Sequence, residues 1–472
     1  MTLIRSASAS SDRLFRKPAL GGVAAAVLAL AAPGAFAQEV PPLPSVEGPV
    51  ASDDANLQHP SRRGPTIGQD APREWAAYGE PGFYDYVEDE FFISGEAGGA
   101  PYSTRIVVRH PADVADFSGL TLLETLHPAQ SAQTWMASRV GGMQNGHVYV
   151  EVVNENGILD SLRAFNADRY ADLTLEGAIT EQGQVDPVQN EIIAQVANLL
   201  KADHPLGEEW TAENLVITGA SYTSGTALRF MQQENGNNAY QTEDGGPLID
   251  GVFAWDTNGP TQEQLDDLFS VPVIILASQS EWDAGQRTWP AESDVYRLYQ
   301  VTGMPHLEDR EMPEAGWQDC EAPLDTFMFN AQVFQRVDNI YEWLVNGNIP
   351  QSAERVHFES EETDSPFMVD EYGNAMGGVR SPQTEAPWQT FSTPNPGENF
   401  LCGLMGTSEP LPDDVLAELY PNVGDFAAAI TAATAELVEA GWFPPEYIHE
   451  IGIEIQNFAQ HRAGQEYRIT ND

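Results

Sequence analysis

Lysine is nearly absent from this sequence of 472 residues, in which Lys17 and Lys201 are the only two. Lysine and arginine together number 22 against 71 aspartates and glutamates, so the formal net charge at pH 7 is -49. A surface of this sign repels nucleic acids and anionic membranes, and neither is expected as a partner. Because the acids are spread along the chain, we also expect a salty external medium, where ions screen the self-repulsion.

Long hydrophobic runs are also scarce, and the longest lies at the N-terminus. Four basic residues within the first 17 positions precede an apolar run over 19–30, and small residues follow at Ala35 and Ala37. This layout predicts a secretory signal peptide over 1–37, cut after Ala37, and favours it over an uncleaved membrane anchor. We therefore expect a secreted or periplasmic protein without a membrane partner, and the sequence does not choose between the two locations.

Cysteine is limited to Cys320 and Cys402. In an exported protein, such a pair favours a disulfide over two free thiols. Neither cysteine lies between a strand and a helix in the way that a nucleophile would, so cysteine chemistry is not expected.

Apolar segments of strand length recur from about residue 104 onward. Several of them are apolar almost throughout, which is typical of parallel strands covered by helices on both faces. Helical spacing of apolar residues marks 186–203 and 324–345. This alternation predicts an α/β class with a doubly wound, mostly parallel sheet. The expected strands are 104–109, 119–126, 147–153, 214–219, 250–256, 271–278 and 296–302.

Three regions follow the signal peptide in this interpretation. Residues 38–70 are rich in proline, serine and glycine and are interpreted as an arm or linker. Residues 71–472 form the main domain, whose C-terminal part over about 350–463 is loop-rich and then helical. The helices expected at 412–419, 424–441 and 445–461 could pack on the core, act as a lid or form a small separate domain.

One segment has the form of a nucleophile elbow. The strand at 214–219 ends at Gly219, Ser221 follows two residues later, and a helix with small residues begins directly afterwards. Such a turn lifts a serine hydroxyl above the sheet and directs backbone N–H groups at one point, where an oxyanion can bind. An ordinary strand–helix turn with a capping serine is the alternative. Thr223 stands where the strict G-x-S-x-G pattern has its second glycine.

A serine needs a base, and His306 is the best candidate. Lys201 lies on the preceding predicted helix, so a lysine base is not expected. Four histidines follow Ser221 in the chain, as the order of a serine–acid–histidine triad on this type of sheet requires. His306 lies in a Gly/Pro loop just beyond a strand, whereas the others lie in loop-rich or helical sequence. These three are His357, His449 and His461.

The remaining site candidates follow from the same chain order. Glu281 and Asp283 both come after the strand at 271–278, and either could orient the imidazole. Glu281 is favoured because it lies closer to the strand, and Asp283 is the alternative acid. The backbone N–H of Tyr222 and that of Leu126 or His127 would form the oxyanion hole, and the His127 side chain could also line the site.

Together these segments resemble the bacterial "alpha/beta hydrolase domain" family of largely exported, esterase-like proteins, over roughly residues 80–463. Two departures concern the elbow: Tyr222 replaces the usual glutamine after the serine, and Ser224 displaces a glycine. The resemblance implies an α/β-hydrolase fold, with C-terminal helical elements packed on the sheet, and carboxylic-ester hydrolysis without a fixed substrate. The segments are RHPAD (109–113), RYADL (169–173), GASYTSG (219–225), VPVIILASQSE (271–281), YRLYQVTGMPH (296–306), DEYGNAMGGVR (370–380) and LCG (401–403).

The sequence therefore predicts an exported serine esterase that works through an acyl-enzyme on a small or polymeric ester. No cofactor or metal is expected, because the scattered histidines show no ligand spacing. An exported peptidase or polyester depolymerase on the same fold is one alternative, and a non-catalytic binding protein is another. The acyl and alcohol parts of the substrate and the oligomeric state stay open.

Overall fold

A computed structural model gives the architecture of most of the chain. The signal peptide predicted for 1–37 and its cleavage site lie outside the described residues. The described residues are 39–50, 81–128, 131–177, 187–232, 239–257, 259–283, 289–307, 320–323, 325–360 and 366–465.

The strands of these residues form one large mixed sheet and a separate two-stranded hairpin. The order in the large sheet is β1-β2-β3-β5-β4-β7-β8-β9-β10, with β6 paired to β3. The strands are β1 (Ser45–Glu47), β2 (Tyr86–Ala97), β3 (Ala100–Pro111), β4 (Leu120–Thr125), β5 (Val148–Val152), β6 (Thr174–Leu175), β7 (Asn214–Ala220), β8 (Gly251–Trp255), β9 (Val273–Ala277), β10 (Tyr296–Gln300), β11 (Gln389–Ser392) and β12 (Thr407–Pro410).

Strands β4, β5 and β7 to β10 run parallel to one another. Their side chains are almost all buried, as expected for strands covered on both faces. Strands β1, β2 and β3 extend one edge in antiparallel pairing, and β3 pairs antiparallel with β5. The predicted α/β class with a mostly parallel sheet is confirmed, and all seven expected strands are present.

Helices pack around this sheet and follow its strands. The expected helices at 186–203 and 324–345 are found as α4 and α8, whereas α1 and α2 were not predicted. The helices of the described residues are α1 (Gln133–Gln144), α2 (Asn156–Phe165), α3 (Ala167–Tyr170), α4 (Pro187–Ala202), α5 (Tyr222–Gln232), α6 (Gln262–Leu268), α7 (Gln279–Asp283), α8 (Phe329–Val345), α9 (Pro382–Glu385), α10 (Asp413–Leu419), α11 (Val423–Glu439) and α12 (His449–Arg462).

The C-terminal part packs on the α/β core. Tyr447 stacks on Phe334 of α8, with ring centroids 5.6 Å apart, and its hydroxyl donates to the carbonyl of Ala137 in α1. The described residues after Gln38 belong to one compact unit. At the other end, β1 lies within the expected arm at 38–70 and pairs with β2, so part of that arm belongs to the sheet.

The two cysteines form a disulfide, as predicted. Cys320 and Cys402 are joined with their Cα atoms 5.5 Å apart. The bond lies close to the sequence after His306, because Leu307 N–H donates to the carbonyl of Leu404 at 2.9 Å. No helix in the described ranges is both long and apolar enough to cross a membrane.

Candidate active site

Ser221 lies on a sharp turn between β7 and α5. Its backbone φ of 50° falls in the left-handed region, which a residue with a side chain rarely adopts without a functional reason. The Ser221 N–H donates to the carbonyl of Trp255 on the neighbouring strand β8 at 3.0 Å. The turn is therefore fixed to the sheet, and it presents the serine at the carboxyl ends of the parallel strands.

Three residues around the serine hold this turn. A Cβ on Gly219 would lie 2.5 Å from the backbone of Thr223, so this position requires glycine. The Thr223 hydroxyl accepts from Ala220 N–H at 3.0 Å and donates to the Ala220 carbonyl at 2.9 Å. The buried Ser224 hydroxyl accepts from Trp255 N–H at 3.0 Å and lies 2.6 Å from the Gly219 carbonyl. The two residues that depart from the simplest elbow pattern thus tie the turn together.

The structure brings Ser221, His306 and Glu281 together. His306 Nε2 lies 2.9 Å from Ser221 Oγ, and His306 Nδ1 lies 2.6 Å from Glu281 Oε1. An ionised carboxylate only accepts hydrogen bonds, so Glu281 places the proton of the neutral ring on Nδ1 and leaves the Nε2 lone pair for the serine. The backbone of Asp283 ends α7, but its side chain lies outside the described part of the structure.

Hydrogen bonds between the segments that follow β9 and β10 position the acid and the histidine. Strands β9 and β10 are parallel neighbours, so the loops after them leave the same edge of the sheet. Gln279 N–H donates to the Met304 carbonyl at 2.7 Å, and Gly303 N–H donates to Gln279 Oε1 at 2.8 Å. His306 N–H also donates to Ser280 Oγ at 3.3 Å. These bonds hold the imidazole against the carboxylate in a part of the site that is nearly closed to water.

His306 is only 7% exposed and carries opposing electrostatic effects. Burial lowers its pKa, but the nearby carboxyls of Asp256 and Glu281 raise it, and the net shift is upward. The site therefore favours the imidazolium more than burial alone would allow. A base of this kind can hold a proton during a reaction and return it afterwards.

His127 lines the same site with its side chain. Its ring lies perpendicular to that of Tyr222, with centroids 6.1 Å apart. Burial and the charge of His306 lower the pKa of His127 to about 4, so this ring is neutral at neutral pH. His127 thus contributes a polar, uncharged surface beside the serine.

In the structure, both amides expected as the second oxyanion donor make backbone hydrogen bonds. Leu126 N–H donates to the Val152 carbonyl at 2.9 Å, because it continues the parallel pairing of β4 with β5. His127 N–H donates to the Ser131 carbonyl at 3.0 Å and closes a tight turn. Both amides are already used by the backbone, whereas Tyr222 is the first residue of α5 and lies at the helix end where amides can bind an anion.

Asp256 is a neighbour of the site that the sequence reasoning missed. It follows β8 directly, is 4% exposed and has a φ of 49°. Burial raises its pKa to about 8, an effect that the charge of His306 opposes and that of Glu281 reinforces. Asp256 directly follows β8, the neighbour of the strand β7 that leads to Ser221, and this position could have identified it from the sequence.

The other candidate bases have partners elsewhere. Lys201 Nζ pairs with Asp250 at 2.6 Å, and His357 Nε2 pairs with Glu354 at 2.8 Å. His449 Nδ1 lies 3.2 Å from the Glu446 carbonyl. Among the residues that the structure describes, no group of three histidine, cysteine or acidic side chains is arranged to hold a metal.

The chain belongs to the alpha/beta hydrolase domain family, whose model matches residues 46–451. The resemblance drawn from the sequence is thereby confirmed, and so is the α/β-hydrolase fold. Among curated proteins, no sequence matches this chain.

Several solved structures are similar to this chain at low identity. An α/β serine hydrolase without a lid from Xanthomonas campestris is 10% identical, with 55% of this chain and 95% of that chain covered and a TM-score of 0.29. The esterase Est22 is 14% identical, with coverage of 41% and 64% and a TM-score of 0.27. A putative dienelactone hydrolase from Klebsiella pneumoniae is 11% identical, with coverage of 46% and 85% and a TM-score of 0.27.

Proposed function

We propose that this protein is an exported serine hydrolase that cleaves carboxylic esters through an acyl-enzyme intermediate. The observation that carries the proposal is the continuous hydrogen-bonded line from Ser221 Oγ through the His306 ring to Glu281, with contacts of 2.9 Å and 2.6 Å. A nucleophile, a base and an orienting acid in this relation are what acyl transfer needs. The disulfide supports export, because such bonds persist in oxidising compartments.

In the proposed reaction, Ser221 Oγ attacks the ester carbonyl carbon while His306 Nε2 takes the hydroxyl proton. Glu281 accepts the Nδ1–H bond and stabilises the imidazolium. The carbonyl oxygen becomes an oxyanion, which the Tyr222 amide and the positive end of α5 stabilise. His306 then gives its proton to the leaving alcohol, and a water activated by the same nitrogen releases the acid.

Hydrolysis of p-nitrophenyl acyl esters by the purified protein tests this proposal. We expect turnover of the esters and little cleavage of chromogenic peptides, together with a fall in kcat of more than about a thousandfold in Ser221→Ala. Circular dichroism and the thermal midpoint of the variant show that it stays folded. Peptide cleavage that depends on Ser221 would favour the peptidase instead, and hydrolysis that survives Ser221→Ala would exclude Ser221 as the nucleophile.

A further inference from the structure

Asp256 lies directly after a residue that is hydrogen-bonded to the backbone of the nucleophile. Trp255, the residue before it, pairs with Ala220 in the sheet and accepts the hydrogen bond from Ser221 N–H. The Asp256 N–H donates to the Leu276 carbonyl on β9, the strand that leads to the acid loop. Asp256 therefore stands between the strand of the serine and the strand of Glu281.

The backbone at Asp256 shares an unusual feature with the nucleophile. Among the described residues, only three that are not glycine have a positive φ, namely Asp85, Ser221 and Asp256. Asp85 is exposed, whereas the other two lie next to each other across β7 and β8. Left-handed backbone at residues other than glycine costs free energy and is concentrated at functional sites.

The carboxyl of Asp256 is buried without a full set of donors. Asp256 Oδ1 has no hydrogen-bond partner in the described part of the chain, and a hydrogen bond from the Ser278 side chain only partly offsets the rise in the pKa of this carboxyl. Burying a carboxyl in this way destabilises a fold. An asparagine would adopt the same left-handed turn without a charge, so the turn alone does not explain the acid.

The charged groups that act on Asp256 are His306 and Glu281. Conversely, the charge of Asp256 favours the protonated form of His306, as do the charge and the hydrogen bond of Glu281. The only other titratable group with a described effect on this assembly is His127, on which the charge of His306 acts. We propose that Asp256 is a second acidic positioning residue for His306 and shares with Glu281 the stabilisation of the imidazolium that forms when Ser221 attacks.

This inference rests on the proposed function, and a double-mutant cycle tests it in the full chain. Asp256→Asn keeps the shape and the turn preference of the residue and, when the rates are measured at pH 9, above the pKa of about 8 to which burial raises this carboxyl, it removes a charge. We expect it to lower kcat about tenfold alone and about a hundredfold in a Glu281→Gln background, because each carboxylate partly replaces the other. Asp85→Asn, which makes the same change at an exposed residue of similar φ, controls for the backbone effect and should leave both rates unchanged.

Equal fold-changes in the two backgrounds, or none, would overturn the proposal, because a merely structural residue acts independently of Glu281. The free energy of unfolding at pH 8 should stay equal or rise in Asp256→Asn, since the variant removes a buried carboxyl. A loss of activity that follows a loss of stability would also overturn the proposal.

A titration of the His306 ring by histidine NMR, in a Ser221→Ala background, decides the question without any substrate. The resonance is assigned through a His306→Gln variant. We expect the pKa of His306 to fall when Asp256→Asn is added and to stay constant with Asp85→Asn. An unchanged pKa would refute the role of Asp256 even if the protein is an esterase, whereas a missing esterase activity would refute the proposed function and leave this result interpretable.

Discussion

The chemistry of this site depends on which ring nitrogen of His306 carries the proton. Glu281 holds that proton on Nδ1 of His306, and the Nε2 lone pair therefore faces Ser221 Oγ. Because the ring is buried, this choice is made by two short contacts instead of by solvent. Loss of the acid would leave the ring free to adopt the wrong tautomer.

At the residue scale, we predict that Glu281→Gln lowers kcat by about a hundredfold to ten-thousandfold, because the amide cannot stabilise the imidazolium or fix its tautomer. Asp283→Asn is the matched comparison in the same short helix and should change kcat by less than about threefold. Steady-state kinetics on one ester measures both variants. The reverse order of effects would assign the acid to Asp283.

The sequence predicted the three residues of the proposed triad because chain order places each of them after a parallel strand. It could not choose between Glu281 and Asp283, since spacing does not show which side chain turns towards the histidine. It could not show that the amides of Leu126 and His127 donate to the carbonyls of Val152 and Ser131, because these pairings form only in the folded chain. Asp256 was missed because the acid was sought only after the following strand.

At the scale of elements, the elbow works because β7 and α5 approach each other closely. Gly219 permits that approach, and the hydroxyls of Thr223 and Ser224 replace the hydrogen bonds that the tight turn costs the backbone. A sequence pattern with two glycines achieves the same approach by removing side chains. Here two buried hydroxyls connect the turn to the neighbouring strand instead.

We predict that Gly219→Ala destabilises the protein by about 1–3 kcal/mol and lowers activity, because the new Cβ would meet the backbone of Thr223 at 2.5 Å. Gly225→Ala is the matched control on α5, where the nearest atom is the mobile guanidinium tip of Arg229 at 2.8 Å. Urea unfolding of the two variants gives the comparison. Equal stability of both variants would contradict the close approach at Gly219.

Strand β2 and helix α1 were not predicted, because their sequences lack the usual pattern of a strand or a helix. Strand β2 carries several acids that would be placed in a loop, yet Glu88 and Glu90 pair with Arg109 and Arg105 of β3 at 2.9 Å and 3.1 Å. Helix α1 lacks a clear apolar face, because its buried surface includes two glycines that let the rings of Phe334 and Tyr149 approach. Both elements depend on packing or pairing with residues that are distant in the sequence.

At the scale of the whole molecule, the net charge of -49 lowers the stability of the folded state. Carboxylates on one surface repel one another over about 10 Å at 0.1 M salt, and added ions shorten that range. A chain with only two lysines has few ammonium groups with which to offset this repulsion. The folded state, which brings the charges together, loses more from the repulsion than the unfolded chain does.

We therefore predict that the thermal midpoint rises when sodium chloride is increased from about 0.05 M to 1 M, where the screening length falls to about 3 Å. Differential scanning calorimetry at constant pH measures the midpoint. Potassium chloride at the same ionic strength is the control and should give the same rise, because screening does not depend on the ion. A midpoint that does not change with salt would contradict an adaptation to a salty medium.

Buried acids also make stability depend on pH. Burial raises the pKa of Glu124 to about 7 and that of Asp256 to about 8. At pH values between the pKa of each acid in the unfolded chain and its raised pKa in the folded protein, the folded state binds more protons than the unfolded state. The buried His147, with a pKa lowered to about 3, has the opposite effect only below about pH 6.5. His306, whose pKa is raised, acts in the same direction as the acids.

The free energy of unfolding should therefore fall as pH rises from about 6.5 to 8, where the acids and His306 act without opposition from neutral histidines. Urea unfolding at constant ionic strength measures this slope. The double variant Glu124→Gln and Asp256→Asn should flatten it, whereas Asp85→Asn should leave it unchanged. A stability that increases over this pH range would contradict the assignment of these buried groups.

Labelling with a fluorophosphonate probe, followed by mass spectrometric mapping, tests whether Ser221 is the nucleophile. We predict a single modified residue, Ser221, in the folded protein. Labelling should be slowed by at least about a hundredfold in His306→Gln, because the hydroxyl then lacks its base. A folded protein that stays unlabelled, or that carries the label elsewhere, would show that Ser221 is not the activated nucleophile.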